Sequence, residues 1–122
     1  MAHPLGGMFD IPHGIANAVL LPYIMEYNIP SCPKRFNKIA LQMGEKTLGM
    51  TELEGAYKSL DGVIKLSDDI GIPKNLALLG MDINMLDKLV KDSMKSVNVK
   101  ANPRRNTYDD IRGLFINAYN GR

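Results

Sequence analysis

The stretch Pro12-His13-Gly14-Ile15-Ala16-Asn17-Ala18-Val19-Leu20-Leu21-Pro22-Tyr23-Ile24-Met25-Glu26-Tyr27-Asn28 decides the fold. Proline suits the first turn of a helix, where its missing N–H leaves no bond unmade, so a helix is predicted from about Pro12 to Asn28. Ile15, Ala16, Ala18, Val19, Leu20, Leu21 and Ile24 occupy most of its circumference. A helix apolar all round is a central one, packed on several sides. Pro22 lies inside it and is expected to kink or split it. The most apolar part, Ile15 to Met25, is too short to cross a bilayer, which needs about 20 apolar residues.

Outward from this stretch, helical spacing dominates. Asn28 to Pro33 reads as a proline-punctuated loop. A second helix follows from about Pro33 to Gly44, with Phe36, Ile39, Ala40 and Met43 on one face. Thr51 and Glu54 form a capping box that opens a third helix, running to about Ile70. Its apolar stripe is Leu53, Ala56, Tyr57, Leu60, Val63 and Ile64, and Gly71-Ile72-Pro73 stops it. Leu76, Leu78 and Leu79 fall in a short connector. Asp82 is expected to cap a fourth helix to about Val97, with Ile83, Leu86, Leu89, Val90 and Met94 inward. Ser96 to Asn106 reads as extended or loop, and Val97 to Lys100 is the sole strand candidate. Thr107 caps a last helix that turns Ile111, Leu114, Phe115 and Ala118 inward. The fold class is therefore all-α, about five helices in one domain over residues 1–122, with no repeat and no linker.

Composition fits that reading. The chain has 122 residues, 45% of them hydrophobic and 23% charged, which suits a folded globular domain and not a disordered one. A chain of this length buries roughly two thirds of its unfolded surface, enough for one core. Fifteen basic residues against thirteen acidic ones leave a net charge of +2, so no nucleic-acid partner is expected, although a local basic patch is compatible with that balance. No secretory leader and no membrane span are expected. The lone Cys32 excludes an intramolecular disulfide and a cysteine-cluster metal site, and a reducing, cytoplasmic compartment fits it.

Candidate chemistry concentrates between His3 and His13. Neutral imidazole is a good transition-metal donor, yet ten residues separate the two histidines and that is not the i, i+4 spacing of a paired helical site. By spacing alone the pattern reads as two ordinary histidines, one capping a helix and one satisfied in the core. Asp10 reads either as a ligand or orienter, or as a cap or turn residue before Pro12. Cys32 has no assigned general base and reads as structural. Asn102-Pro103-Arg104-Arg105 reads as an anion-binding loop or as a solvated loop with a surface salt bridge. The eight methionines read as core filler. The first residues already carry His3, Gly6-Gly7 and Asp10 and read like the middle of a chain.

The run from Met1 to Ala18, Met1-Ala2-His3-Pro4-Leu5-Gly6-Gly7-Met8-Phe9-Asp10-Ile11-Pro12-His13-Gly14-Ile15-Ala16-Asn17-Ala18, resembles a signature of the iron-containing (group III) alcohol dehydrogenases. Leu20-Leu21-Pro22, Glu26-Tyr27-Asn28, and Asn102-Pro103-Arg104 with Thr107, Asp110 and Ile111 resemble the same family. The resemblance implies a nucleotide-binding α/β domain followed by a C-terminal helical domain, with the active site in the cleft between them. It implies Fe(II) held by one aspartate and three histidines, and an NAD(P) cofactor that carries the hydride. His13 matches the last ligand histidine. His3 matches a histidine that lines the substrate and nicotinamide pocket without being a usual ligand. Phe9 and the Val97-Asn98 segment fall where family members line that pocket.

The same resemblance places the other ligands upstream, the nearest four residues before His3, together with the whole nucleotide-binding domain. The expectation is thus the C-terminal part of a helical domain, truncated on its N-terminal side, beginning at an internal methionine and inactive alone. Neither iron nor NAD(P) is expected to bind tightly to this chain. An uncovered apolar face of the Ile15–Met25 helix predicts a homo-oligomer. Two alternatives stand beside it: a split enzyme completed by another chain, and a non-catalytic helical interaction module.

Overall fold

The computed structural model describes residues 1–122 and contains helices and turns only. There are seven α-helices: α1 (Ala2–Phe9), α2 (His13–Asn28), α3 (Pro33–Gln42), α4 (Glu52–Asp69), α5 (Leu86–Met94), α6 (Val97–Lys100) and α7 (Tyr108–Asn120). Short 3₁₀ turns lie at Ile29–Ser31, Ala77–Leu79 and Ile83–Met85. No helix is long and apolar enough to cross a membrane.

The all-round apolar character of α2 has a specific cause: the helix serves two cores. Ala16, Val19, Leu20 and Tyr23 enter a main core of 17 buried residues shared with α1, α5, α6 and α7. Met25, with Ile29 just beyond the helix end, instead packs on Ala56 and Leu60 of α4 in a second, smaller cluster. Pro22 is buried inside α2 and the helix continues through it, so it is not split. The expectation of a buried central helix holds in part: Ala16, Val19, Leu20, Pro22, Tyr23, Met25 and Asn28 are buried, while its first three residues are exposed. Ile15 and Leu21 stay 37% and 46% exposed, two separate apolar positions of α2 that the rest of the chain does not cover.

The α3–α4 hairpin packs closely because α4 presents small residues to α3. Gly55 and Gly62 are buried, and so is Ser59, whose hydroxyl donates to the Ala56 carbonyl at 2.6 Å. A Cβ on Gly55 would collide with Asn37 Oδ1 of α3, and one on Gly62 would lie 2.8 Å from Met43 Cε. Ala56 and Leu60 face inward as the apolar stripe predicts, and Val63 and Ile64 are half-buried. Leu53 and Tyr57 of the same stripe remain exposed, as do Ile39 and Met43 beside them.

Two helices go beyond the five expected. α1 is hidden in the sequence by Gly6-Gly7, which lowers helix propensity, while Pro4 is tolerated in its first turn. Ala2, Pro4 and Leu5 anchor it in the core. The strand candidate Val97–Lys100 is instead one helical turn, α6, capped by the Ser96 hydroxyl, which accepts from the Asn98 N–H at 3.2 Å. Val97 and Val99 alternate like a strand, but only Val99 is buried and no neighbouring strand exists to pair with. Asp82 caps the 3₁₀ turn at Ile83–Met85, not a long helix, and α5 ends at Met94.

Thr107 opens α7 with a full capping box, its side chain accepting from the Asp110 N–H while Asp110 accepts from the Thr107 N–H. Gly113 lies inside α7, and the position a methyl carbon would take there has no atom within 4 Å. Gly113→Ala is therefore expected to stabilise the chain by about 0.5–1 kcal/mol through helix propensity alone. Gly55→Leu is expected to destabilise it by about 1–3 kcal/mol through overpacking against α3. Urea midpoints of the two variants check both signs.

Candidate functional site

His3 and His13 reach the same place by different routes. His3 stands on α1, and His13 is the first residue of α2. The three residues between the helices turn the chain sharply. Asp10 takes a left-handed conformation, φ 59°, and its N–H closes α1 by donating to the Gly6 carbonyl at 3.1 Å. A non-glycine residue in this region is uncommon, and aspartate is one of the few that tolerates it. Asp10 is thus a turn residue; Pro12, not Asp10, occupies the N-cap of α2.

The two histidines open onto one cleft of about 950 Å³. Its far wall is the corner between α5 and α6, which contributes Asp92 and Asn98, and Asn17 of α2 adds a further amide. Sequence reasoning misses Asn17 and Asp92. Asn17 carries a usable signal: it follows His13 by four residues, on the same face of an otherwise apolar helix. Asp92 carries none. Phe9 does not line this cleft; it sits at the end of α1, half-buried against the main core. Asn98 also lines a smaller cavity of about 140 Å³, which Ile24, Tyr27 and Asn102 help to enclose.

Both histidines are exposed, and nowhere in the chain do three His, Cys, Asp or Glu side chains come together as a metal-binding group. Holding a first-row metal selectively takes several donors in a fixed geometry. The donors on this chain do not by themselves fit a resident iron.

The corner that carries Asn98 is fixed by a network of polar contacts to the end of α2. Asn28 and Asn102 exchange amide hydrogen bonds, Asn28 Nδ2 donating to Asn102 Oδ1 at 2.9 Å and Asn102 Nδ2 to Asn28 Oδ1 at 2.7 Å. The second Asn102 amide hydrogen goes to the Arg104 carbonyl at 2.8 Å. Arg104 Nη1 donates to the Tyr27 carbonyl at 2.8 Å, and its guanidinium lies 4.2 Å from the centre of the Tyr27 ring. This satisfies one of the carbonyls that a helix C-terminus leaves without a partner. The Tyr27 hydroxyl donates to the Arg105 carbonyl at 2.5 Å, with Asp110 Oδ2 at 3.2 Å as a second acceptor. Burial, with the Asp110 carboxylate beside it, pushes the Tyr27 hydroxyl pKa up. The Thr107 N–H holds the Asp110 carboxyl below its usual range. Arg104 is therefore not part of a surface salt bridge. Its first task is to hold the loop on α2. Cys32 is half-buried, its thiol 3.6 Å from the Asn28 carbonyl.

A family model described as the C-terminal part of the Fe-containing alcohol dehydrogenase family matches residues 1–119. The chain belongs to the iron-containing alcohol dehydrogenase family. It is 40% identical to a 1,3-propanediol dehydrogenase of Klebsiella pneumoniae over 98% of its own length and 31% of that relative's. It is 37% identical to a lactaldehyde reductase of Escherichia coli K12, with the same coverage of both chains. A crystal structure of a 1,3-propanediol oxidoreductase superposes with a TM-score of 0.94 at 40% identity, covering 97% of this chain and 31% of that one. An alcohol dehydrogenase from Oenococcus oeni gives 0.91 at 40% identity with the same coverage. The chain thus spans about a third of the length of these relatives, and its helical fold is that of the family's C-terminal domain.

The hydrogen bonds give the Asn102-Pro103-Arg104 stretch a physical meaning. Tyr27, Asn28, Asn102, Arg104, Thr107 and Asp110 are one connected network. Removing the Asn28 amide takes away two of the bonds Asn102 makes, beside the buried site of Asn28, and leaves it only its bond to the Arg104 carbonyl. Asn28→Ala is expected to cost about 1–3 kcal/mol, and the Asn28→Ala/Asn102→Ala double variant less than the sum of the two single ones, because the two side chains share their mutual bonds. Urea unfolding of the three variants checks this double-mutant cycle.

Proposed function

We propose that this chain is the C-terminal helical part of an iron-dependent, NAD(P)-linked alcohol dehydrogenase and supplies one wall of its active site. The observation that carries the reading is the meeting of His3, His13 and Asn98, from three separate elements, on a single cleft. In this reading His13 is one of several iron ligands, and His3 and Asn98 face the substrate and nicotinamide. The remaining donors and the dinucleotide-binding domain belong to the two thirds of the relatives that this chain does not span. The chain alone is inactive, because a lone ligand histidine leaves most of the metal's coordination sphere unfilled.

Two measurements test the site. Purified chain is expected to retain far less than one iron per molecule and to reduce no NAD or NADP with 1,3-propanediol. Tightly held stoichiometric iron would overturn the account. Mixed with a separately produced upstream portion of the Klebsiella relative, the chain is expected to gain retained iron and alcohol-dependent NAD reduction. His13→Ala is expected to abolish both in that mixture, and His3→Ala to reduce turnover while iron stays bound.

Uncovered apolar surface supports a further element of the reading, self-association. Ile15 and Leu21 on α2 are joined by Leu41, Leu66 and Ile70 on the hairpin, all more than a third exposed. Apolar surface of this kind favours association. The isolated chain is expected to sediment as a dimer or larger at micromolar concentration, and Leu21→Lys to shift it toward monomer. A monomer across the whole concentration range counts against this.

A further inference from the structure

Between Asp92 and Asp109 the chain carries four basic residues, Lys95, Lys100, Arg104 and Arg105, and no acidic one. In a chain with nearly balanced charges, those four are the longest series of like charges with no opposite charge between them. The fold concentrates them further. Lys100 at the end of α6, with Arg104 and Arg105 in the loop that follows, lines one cavity of about 230 Å³, beside the amides of Asn102 and Asn106. The cavity shares no lining residue with the cleft of His3 and His13.

None of the three cations is paired. The ion pairs of the chain are Lys58–Asp61, Arg112–Asp87 and Arg122–Asp68. The nearest carboxylate in the network, Asp110, does not line the cavity. It is already committed to the Thr107 N–H and the Tyr27 hydroxyl, although Arg104 lies close enough to help keep it ionised.

Arg104 is the fixed member. Its Nη1 bond to the Tyr27 carbonyl and its stacking on the Tyr27 ring immobilise the guanidinium. They use one of its five N–H donors. Asn106 Nδ2 spends one hydrogen on the Val99 carbonyl at 3.0 Å and keeps the other. A rigid guanidinium with spare donors, two exposed cations and an amide N–H form the donor set that recognises a tetrahedral oxyanion.

We propose that this cavity between α6 and α7 is a binding site for a phosphate group, free or as a phosphate monoester. Lys100 and Arg105 supply charge from the rim and Arg104 supplies oriented donors from the base. A bound phosphate would bridge α6 to the start of α7 and so tighten the corner that carries Asn98.

The test is calorimetric titration of the 122-residue chain with inorganic phosphate and, separately, with glycerol 3-phosphate, with chloride balancing ionic strength. Saturable binding of at least one of them is expected; tighter binding of the monoester would identify a phosphorylated metabolite as the occupant, and tighter binding of inorganic phosphate the free ion. The Lys100→Ala/Arg105→Ala variant removes only exposed side chains, so its circular dichroism should match the parent. It is expected to bind phosphate about tenfold more weakly or worse. Absence of saturable heat with both ligands overturns the proposal. So does a folded double variant whose affinity falls less than about threefold.

Discussion

The amide pair between Asn28 and Asn102 is the constraint on which the corner beside the cleft rests. Two side chains 74 positions apart in sequence each donate to the other, in a place where an unmatched amide would be costly. Around them Arg104 grips the end of α2 while Tyr27 grips the loop in return. A loop without regular structure is thereby tied to the end of α2 at several points. The benefit falls on Asn98, four residues before Asn102, which would otherwise ride on a one-turn helix with little packing of its own.

A second constraint comes from α2. One helix that feeds two cores has to be apolar on most sides, and its polar residues are then few and placed for specific reasons. His13 and Asn17 share the face that opens on the cleft, while Tyr27 and Asn28 close the helix against the loop. Ile15 and Leu21 are the apolar positions of α2 that neither core covers.

Much of this is legible in the sequence, and the failures have physical reasons. The helices with an amphipathic stripe, α3, α4 and α7, can be read nearly to their ends, and Thr51 and Thr107 mark the starts of the last two chemically. α1 escapes such a reading because Gly6-Gly7 argues against a helix that tertiary packing of Leu5 and Ala2 enforces. α6 misleads because two valines at alternate positions carry a strand pattern with no sheet to join. In the site, His13 and His3 come from resemblance to a family signature, not from spacing; the structure adds that they share a cleft. Arg104 shows the limit best: composition makes it an exposed cation, and only the fold seats it on a tyrosine ring and bonds it to a helix end.

The split of the core into a large and a small cluster has a consequence for dynamics. The α3–α4 hairpin touches the rest of the chain through Met25 and Ile29, and through the Arg122–Asp68 pair at its far end, 3.1 Å and partly solvent-exposed. A unit joined by a small buried cluster is expected to open ahead of its neighbours. Amide protons in α4 would then exchange through detachment of the hairpin, while those of Val19, Leu20 and Phe115, sealed in the large cluster, would wait for the whole domain to unfold. The walls of the cleft belong to that slower half, so the hairpin can fluctuate without disturbing the spacing of His3, His13 and Asn98.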